Sequence, residues 1–241
     1  MSHIHNGVIR LYSHSGLCNR LRLFSSYMNL AEKIDHKIEM HWILCVQCWA
    51  SFDALFKPIP NVNFIYSRHG KNPRKSRPAN SAISLNHIKE QEICNYYQAI
   101  KPIPSIQKEI DTLKKRLGDD FSSCHVRRGD ILTIQKKYDK KPNTNEEFFE
   151  FLENTNSRKY FIATDNKEAQ EIFKDRYKDK VIFSSTISKK SCTRWPRRTT
   201  SIQNAVIDLF TCIDSKHFTG TVCSSFTEFI HRYRKGLKCQ N

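Results

Sequence analysis

The residues best suited to chemistry sit where apolar runs stop. His125-Val126-Arg127-Arg128-Gly129-Asp130 ends such a run with two adjacent arginines, which are poor core groups and good bidentate clamps for phosphate. Asp130 suits either of two tasks, orienting a guanidinium or accepting from a ribose hydroxyl. His125 either points inward and bonds locally or joins the ligand. Thr164-Asp165-Asn166 follows a second apolar run and reads equally as a helix N-cap or as a carboxylate placed beside a base or sugar hydroxyl. Gly220 to Phe226 (GTVCSSF) brings small hydroxyls, Ser224 and Ser225 among them, to a helix start. That is anion-binding geometry as well as ordinary capping. Asp208 lies among Val206, Ile207, Leu209 and Phe210, company in which a carboxylate is costly unless paired. Near the N-terminus, Gly16-Leu17-Cys18-Asn19-Arg20 lacks both the dinucleotide fingerprint and the phosphate-loop Lys-Ser/Thr. Gly16 permits close backbone approach and Asn19 can reach a ligand, with tight-turn packing as the other reading.

These clusters are positioned by an alternation of strands and helices. Val8 to Tyr12, Lys37 to Leu44 and Asn63 to Tyr66 read as strands, and apolar spacing from Cys18 to Ile34 predicts a helix after the first. Residues 67 to 82 are basic, hold Pro73 and Pro78, and read as a connector. Ser105 is expected to cap a helix through Leu117. In the second half, strands are predicted at Phe121 to Val126, Tyr160 to Ala163, Val181 to Phe183 and His217 to Thr221. Helices are predicted at about 145 to 154, capped by Thr144 or Asn145, at 167 to 177, at Ser201 to Cys212 and at Ser225 to Arg234. Such alternation predicts parallel sheets covered on both faces, with ligands beyond the C-terminal strand ends.

The chain of 241 residues has a formal charge of +16, so its partners are expected to be anionic. Charge alone does not separate a polynucleotide from a diphosphate. No stretch approaches the roughly 18 apolar residues of a membrane span, and no apolar signal region opens the chain, so the expected localisation is cytoplasmic. The nine cysteines read mainly as small buried hydrophobes. Cys45-Val46-Gln47-Cys48 is a lone C-x-x-C, for which packing, a local disulfide and a metal all stay open.

In this order, HVRRGD (125–130), YFIATDN (160–166), AVIDLFTCIDSKHFTGTVCSSF (205–226) and GLCNRL (16–21) resemble the fucosyltransferase superfamily of α1,6-fucosyltransferases, the nodulation fucosyltransferase and protein O-fucosyltransferases. The resemblance implies an α/β fold of the GT-B type, two facing Rossmann-like domains with a reduced N-terminal half. The expected domains are 1–117 on the acceptor side and 118–241 for the nucleotide sugar. It implies an enzyme that moves fucose from GDP-fucose to a glycan or other hydroxyl acceptor with inversion, needing no metal. Arg127 and Arg128 then look like the diphosphate clamp, Asp165 with Asn166 like the guanine or ribose contact, and Asp208 like the buried acid near the nucleotide. Ser224 and Ser225 look like phosphate contacts, and Asn19 like the cleft asparagine. The α1,6-fucosyltransferase pattern has a Lys after the motif Asp and a Glu beyond it. This chain has Ile131 there and no acid near Gln135, so Asp130, Asp139 and an acid of the N-terminal half all stay open as bases, as does a mechanism with no strong base. The alternatives are another GDP- or UDP-sugar, a basic nucleic-acid binder, or a module that holds nucleotide without transfer. The absence of a nucleic-acid module argues against the second.

Overall fold

The computed structural model describes residues 3–5, 7–68, 90–128, 131–187 and 200–238. It divides the chain into two units, residues 1–103 with 231–241 and residues 104–230. No helix among the described residues is long and apolar enough to cross a membrane.

The first unit is built on a four-stranded sheet of β1 (His3–His5), β2 (Val8–Ser13), β3 (Lys37–Leu44) and β4 (Val62–Arg68), in that spatial order. β2, β3 and β4 are parallel, and β1 adds an antiparallel edge. Helix α1 (Leu17–Lys33) buries Leu17, Leu21, Phe24, Tyr27 and Ala31, one stripe at helical spacing. Its Phe24 meets Phe52 and Phe64, which Trp42 also meets, in an aromatic cluster where Phe52 stacks on Phe64 with centroids 4.0 Å apart. Helix α2 (Glu90–Tyr97) follows. Nearly all of the basic connector expected at 67–82 lies outside the described residues; Ser67 and Arg68 end β4.

The second unit holds α3 (Pro104–Leu117), β5 (Phe121–Val126), α4 (Ile131–Lys137), α5 (Asn145–Asn154), β6 (Lys159–Thr164), α6 (Lys167–Tyr177), β7 (Val181–Ile182), α7 (Ile202–Asp214), β8 (His217–Gly220) and the start of α8 (Ser225–Lys238). Its sheet runs β7-β6-β5-β8, all parallel. β5 is buried along its whole length, as a central parallel strand must be. Cys124, Val126, Tyr160 and Ile162 pack on Phe148, Leu152 and Phe173 of α5 and α6. Alternate residues reach opposite faces: Ser122 bonds Ser157 Oγ at 2.8 Å beyond α5, and Ser123 bonds Ser215 Oγ at 2.7 Å beyond α7.

Two starts differ from expectation. Pro104, not Ser105, opens α3, because proline's fixed φ and missing N–H suit the first helical turn. And α3, placed by the sequence with the first domain, groups with the second unit. Ion pairing of Lys114 with Asp214 at 2.8 Å and donation from Gln203 to Glu109 at 2.8 Å tie it to α7. The last turns of α8 group with the first unit, where Tyr233 accepts from Lys101 Nζ at 2.9 Å.

The end of β8 requires a residue without a side chain. A Cβ on Gly220 would stand 2.6 Å from Thr227 Oγ1, 2.9 Å from its methyl and 3.2 Å from His125 Cβ. Gly220→Ala is therefore expected to cost about 1–3 kcal/mol. Thermal unfolding should show a lower Tm by about 2–4 °C per kcal/mol, and an unchanged Tm would mean that α8 yields freely there.

Candidate active site

The strand order sets the place. From β5 the chain winds outward through β6 to β7, then returns across β5 to β8 on its other side. A reversal of this kind opens a crevice at the C-terminal ends of the two strands that part, here β5 and β8. The loops leaving those strands carry Arg127-Arg128 and Thr221-Ser224.

Thr221 fastens the two loops to each other. Its hydroxyl accepts from the Arg127 backbone N–H at 2.9 Å and donates to the His125 carbonyl at 3.0 Å, while its own N–H donates to that carbonyl at 2.9 Å. Asn143, in the loop before α5, is the second clasp. Its Oδ1 accepts from Val222 N–H at 2.9 Å and its carbonyl accepts from Arg128 Nη1 at 2.8 Å. Gln135, buried on α4, donates from Nε2 to the Val222 carbonyl at 3.3 Å. Sequence reasoning singled out none of these three for such roles, and no local pattern marks them.

Arg128 is held from several sides. Its backbone N–H donates to Asp165 Oδ1 at 3.0 Å, its Nη2 donates to Asn145 Oδ1 at 2.5 Å, and its guanidinium lies 5.6 Å from the Phe148 ring centre. Burial lowers its pKa, against the opposing charges of Asp165 and Glu146. Arg127 is half-buried. Asp165 thus stands beside the arginine loop, at the end of the neighbouring strand. Asn166 is the N-cap of α6, with Oδ1 accepting from Ala169 N–H at 2.7 Å, so its carbonyl oxygen serves the helix. Asp130 and Gly129 lie outside the described residues.

His125 is buried, stacked on Phe226 at 4.3 Å and bonded through Nδ1 to Thr227 Oγ1 at 2.9 Å. Burial, with the Arg127 charge as the smaller cause, lowers its pKa to about 3. Asp208 on α7 is buried, and burial raises its carboxyl to about 7, opposed by a hydrogen bond with Ser184. Among the described residues, its Oδ1 and the Ser224 hydroxyl are buried without a hydrogen-bond partner, a state costly enough to mark groups open to a ligand. Ser225 is half-buried and opens α8, and a helix start is the kind of place where free N–H groups can take an anion.

Gly16 and Asn19 belong to the first unit. Gly16 is the N-cap of α1, with φ of −62° and open space where a Cβ would stand. Asn19 is half-buried and accepts from Arg22 Nη1 at 3.4 Å.

A family model described as GDP-fucose protein O-fucosyltransferase matches residues 18–237. A search of curated proteins finds no significant match. Among solved structures, NodZ alpha-1,6-fucosyltransferase soaked with GDP-fucose is similar at a TM-score of 0.56 and 17% identity, covering 94% of this chain and 91% of that one. Fucosyltransferase NodZ from Bradyrhizobium gives 0.57 and 14%, covering 95% and 93%. POFUT1 in complex with GDP gives 0.62 and 10%, covering 95% and 94%. At these identities the likeness is one of fold.

The two buried titrating groups pull stability in opposite directions with pH. The folded state holds a proton on Asp208 that the unfolded chain has lost between the ordinary carboxylate range and about 7, so this group's contribution falls as pH rises through that window. The unfolded chain protonates His125 near 6.5 while the folded one waits until about 3, so that contribution falls as pH drops. Each slope is on the order of 1.4 kcal/mol per pH unit, and the windows nearly coincide. In denaturant unfolding between pH 4 and 7, Asp208→Asn is expected to lose stability toward acid, and His125→Asn toward neutral pH. Parallel profiles for both variants and wild type would overturn the assignment.

Proposed function

Because the chain belongs to the GDP-fucose protein O-fucosyltransferase family, we propose that its second unit binds GDP-fucose at the ends of β5 and β8 and that this glycosyltransferase passes fucose to a hydroxyl acceptor, on a glycan or protein, with inversion. The carrying observation is the pair of loops that Thr221 and Asn143 hold together at the strand reversal, with two arginines on one and the start of α8 beyond the other. The GDP-fucose and GDP named for the NodZ and POFUT1 structures support the same donor.

In this reading Arg127, Arg128 and the first N–H groups of α8 face the diphosphate. Ser224 supplies a hydroxyl with no other partner among the described residues, and Asp165 and Asp208 lie toward the nucleoside. The acceptor oxygen attacks the anomeric carbon from the face opposite the diphosphate, forming one C–O bond as the other breaks. The acceptor proton passes to a base and the electron pair leaves with GDP. Negative charge grows on the departing phosphate oxygens, where fixed positive groups act without reorganising. Asp130 is the proposed motif acid, with Asp139 and acids of the first unit as the other bases. Gly16 and Asn19 are proposed for the acceptor side.

Arg127 and Arg128 are expected to behave differently. Arg128 bonds two loop groups within the unit, so Arg128→Ala should lose donor binding and also about 1–3 kcal/mol of stability. Arg127→Ala should lower kcat about 10²–10³-fold, if it acts like an oxyanion-hole donor, with little change in Tm. The test is calorimetry and thermal shift with GDP, GDP-fucose, UDP and a short oligonucleotide on wild type and both variants. Binding of the two guanine ligands, weakened in both variants, supports the assignment. Response to the oligonucleotide alone, or GDP binding that ignores both substitutions, would overturn it.

A further inference from the structure

The paired cysteines of the first unit are not used by the proposed transfer. Cys45 and Cys48 close a two-residue turn in which each N–H donates to the other's carbonyl, at 3.2 and 2.9 Å. Residues paired in this way carry their side chains on one face, with Cα atoms about 5.5 Å apart, within the span of a disulfide. Both are thiols in this structure, buried behind the exposed Val46 and Gln47. Among the described residues they belong to no group of three ligands able to hold a metal.

Their surroundings connect them to the loop between β2 and α1. Cys45 Sγ donates to the His14 carbonyl at 3.0 Å and accepts from Arg20 Nη2 at 3.1 Å. Arg20, fully buried, also donates from Nε to the Ser15 carbonyl at 2.5 Å and lies 4.8 Å from the Trp42 ring centre. Among the described residues, its Nη1 is buried without a hydrogen-bond partner. One thiol and one guanidinium therefore hold His14 and Ser15, immediately before Gly16.

We infer that Cys45 and Cys48 are a redox-modification site, oxidised to an internal disulfide by a small or protein disulfide, and that this bond releases the His14–Gly16 loop. Cys45, whose sulfur lies against the guanidinium, attacks one sulfur of the oxidant as thiolate and expels the other as a thiolate. Cys48 then attacks Cys45 Sγ and expels the second. Two electrons pass to the oxidant, and the two cysteine protons end on its two thiols. Cys45 then has no hydrogen to give His14, and its sulfur turns from Arg20 toward Cys48. The site stands independently of which sugar the enzyme transfers.

The test uses the full chain in glutathione buffers of graded potential, followed by alkylation and trypsin. Trypsin does not cut the Lys57–Pro58 bond, so one peptide, residues 38–68, carries both cysteines and no others. In oxidising buffer it should change from two alkyl groups to none, two hydrogens lighter. Backbone amides of residues 17–20 should exchange about tenfold faster, the effect of losing one charged hydrogen bond. In Cys48→Ser, Cys45 can go no further than the mixed disulfide, so the peptide should keep its alkyl group or gain one oxidant group and never become two hydrogens lighter. Alkylation of both sulfurs of the wild type at every potential, linkage without faster exchange, or a mixed disulfide with the oxidant in place of the internal link would each overturn the inference. The wild-type titration decides all three even if the variant fails to fold.

Discussion

A single hydroxyl joins the parts of the second unit that matter most. Thr221 is fully buried and engages both sides of the β5 end, taking a hydrogen bond from Arg127 N–H and giving one to the His125 carbonyl. Parallel strands end by shedding their ladder bonds, and the groups left over must find partners when water is excluded. Here a side chain from the neighbouring strand supplies them, so the arginine loop departs at a fixed angle. His125, Gly220 and Thr227 pack behind this junction closely enough to exclude a Cβ, and Asn143 with Gln135 then holds the other loop at Val222.

The regular parts of the fold were legible because pattern and punctuation agreed. β3 and β5 coincide with their predicted spans, as do α5 and α6. For α5 the reason is visible in a full capping box between Thr144 and Glu147, and for α6 in the Asn166 cap. Elements too short to show a period were missed: β1 has three residues, α4 has seven and α2 eight. α3 was found, but not its partner α7, since a helix pattern tells which face is apolar and not what it will cover.

The site was legible in part for the same physical reason. Arginines after an apolar strand announce themselves, because burying them is costly. The contacts that aim them do not. Asn143 and Val222 are 79 positions apart, Arg127 and Thr221 94, and Gln135 and Val222 87. Each is an ordinary polar residue whose value exists only after the strands have paired. Asn166 shows the converse, since a polar residue at a strand end proved to be occupied by its own helix.

The edges of the two sheets have a bearing on how the chain behaves in company. An exposed, long strand edge offers a row of unpaired amides on which another chain can grow. In the first sheet, β1 turns back antiparallel and covers β2, and the seven residues of β4 form the other border. In the second, the outer strands are cut to two residues in β7 and four in β8, so little template is on offer at either side. The longer β4 border ends in Ser67 and Arg68, and a charge on an edge, with the high positive charge of the whole chain, works against growth of one copy on another.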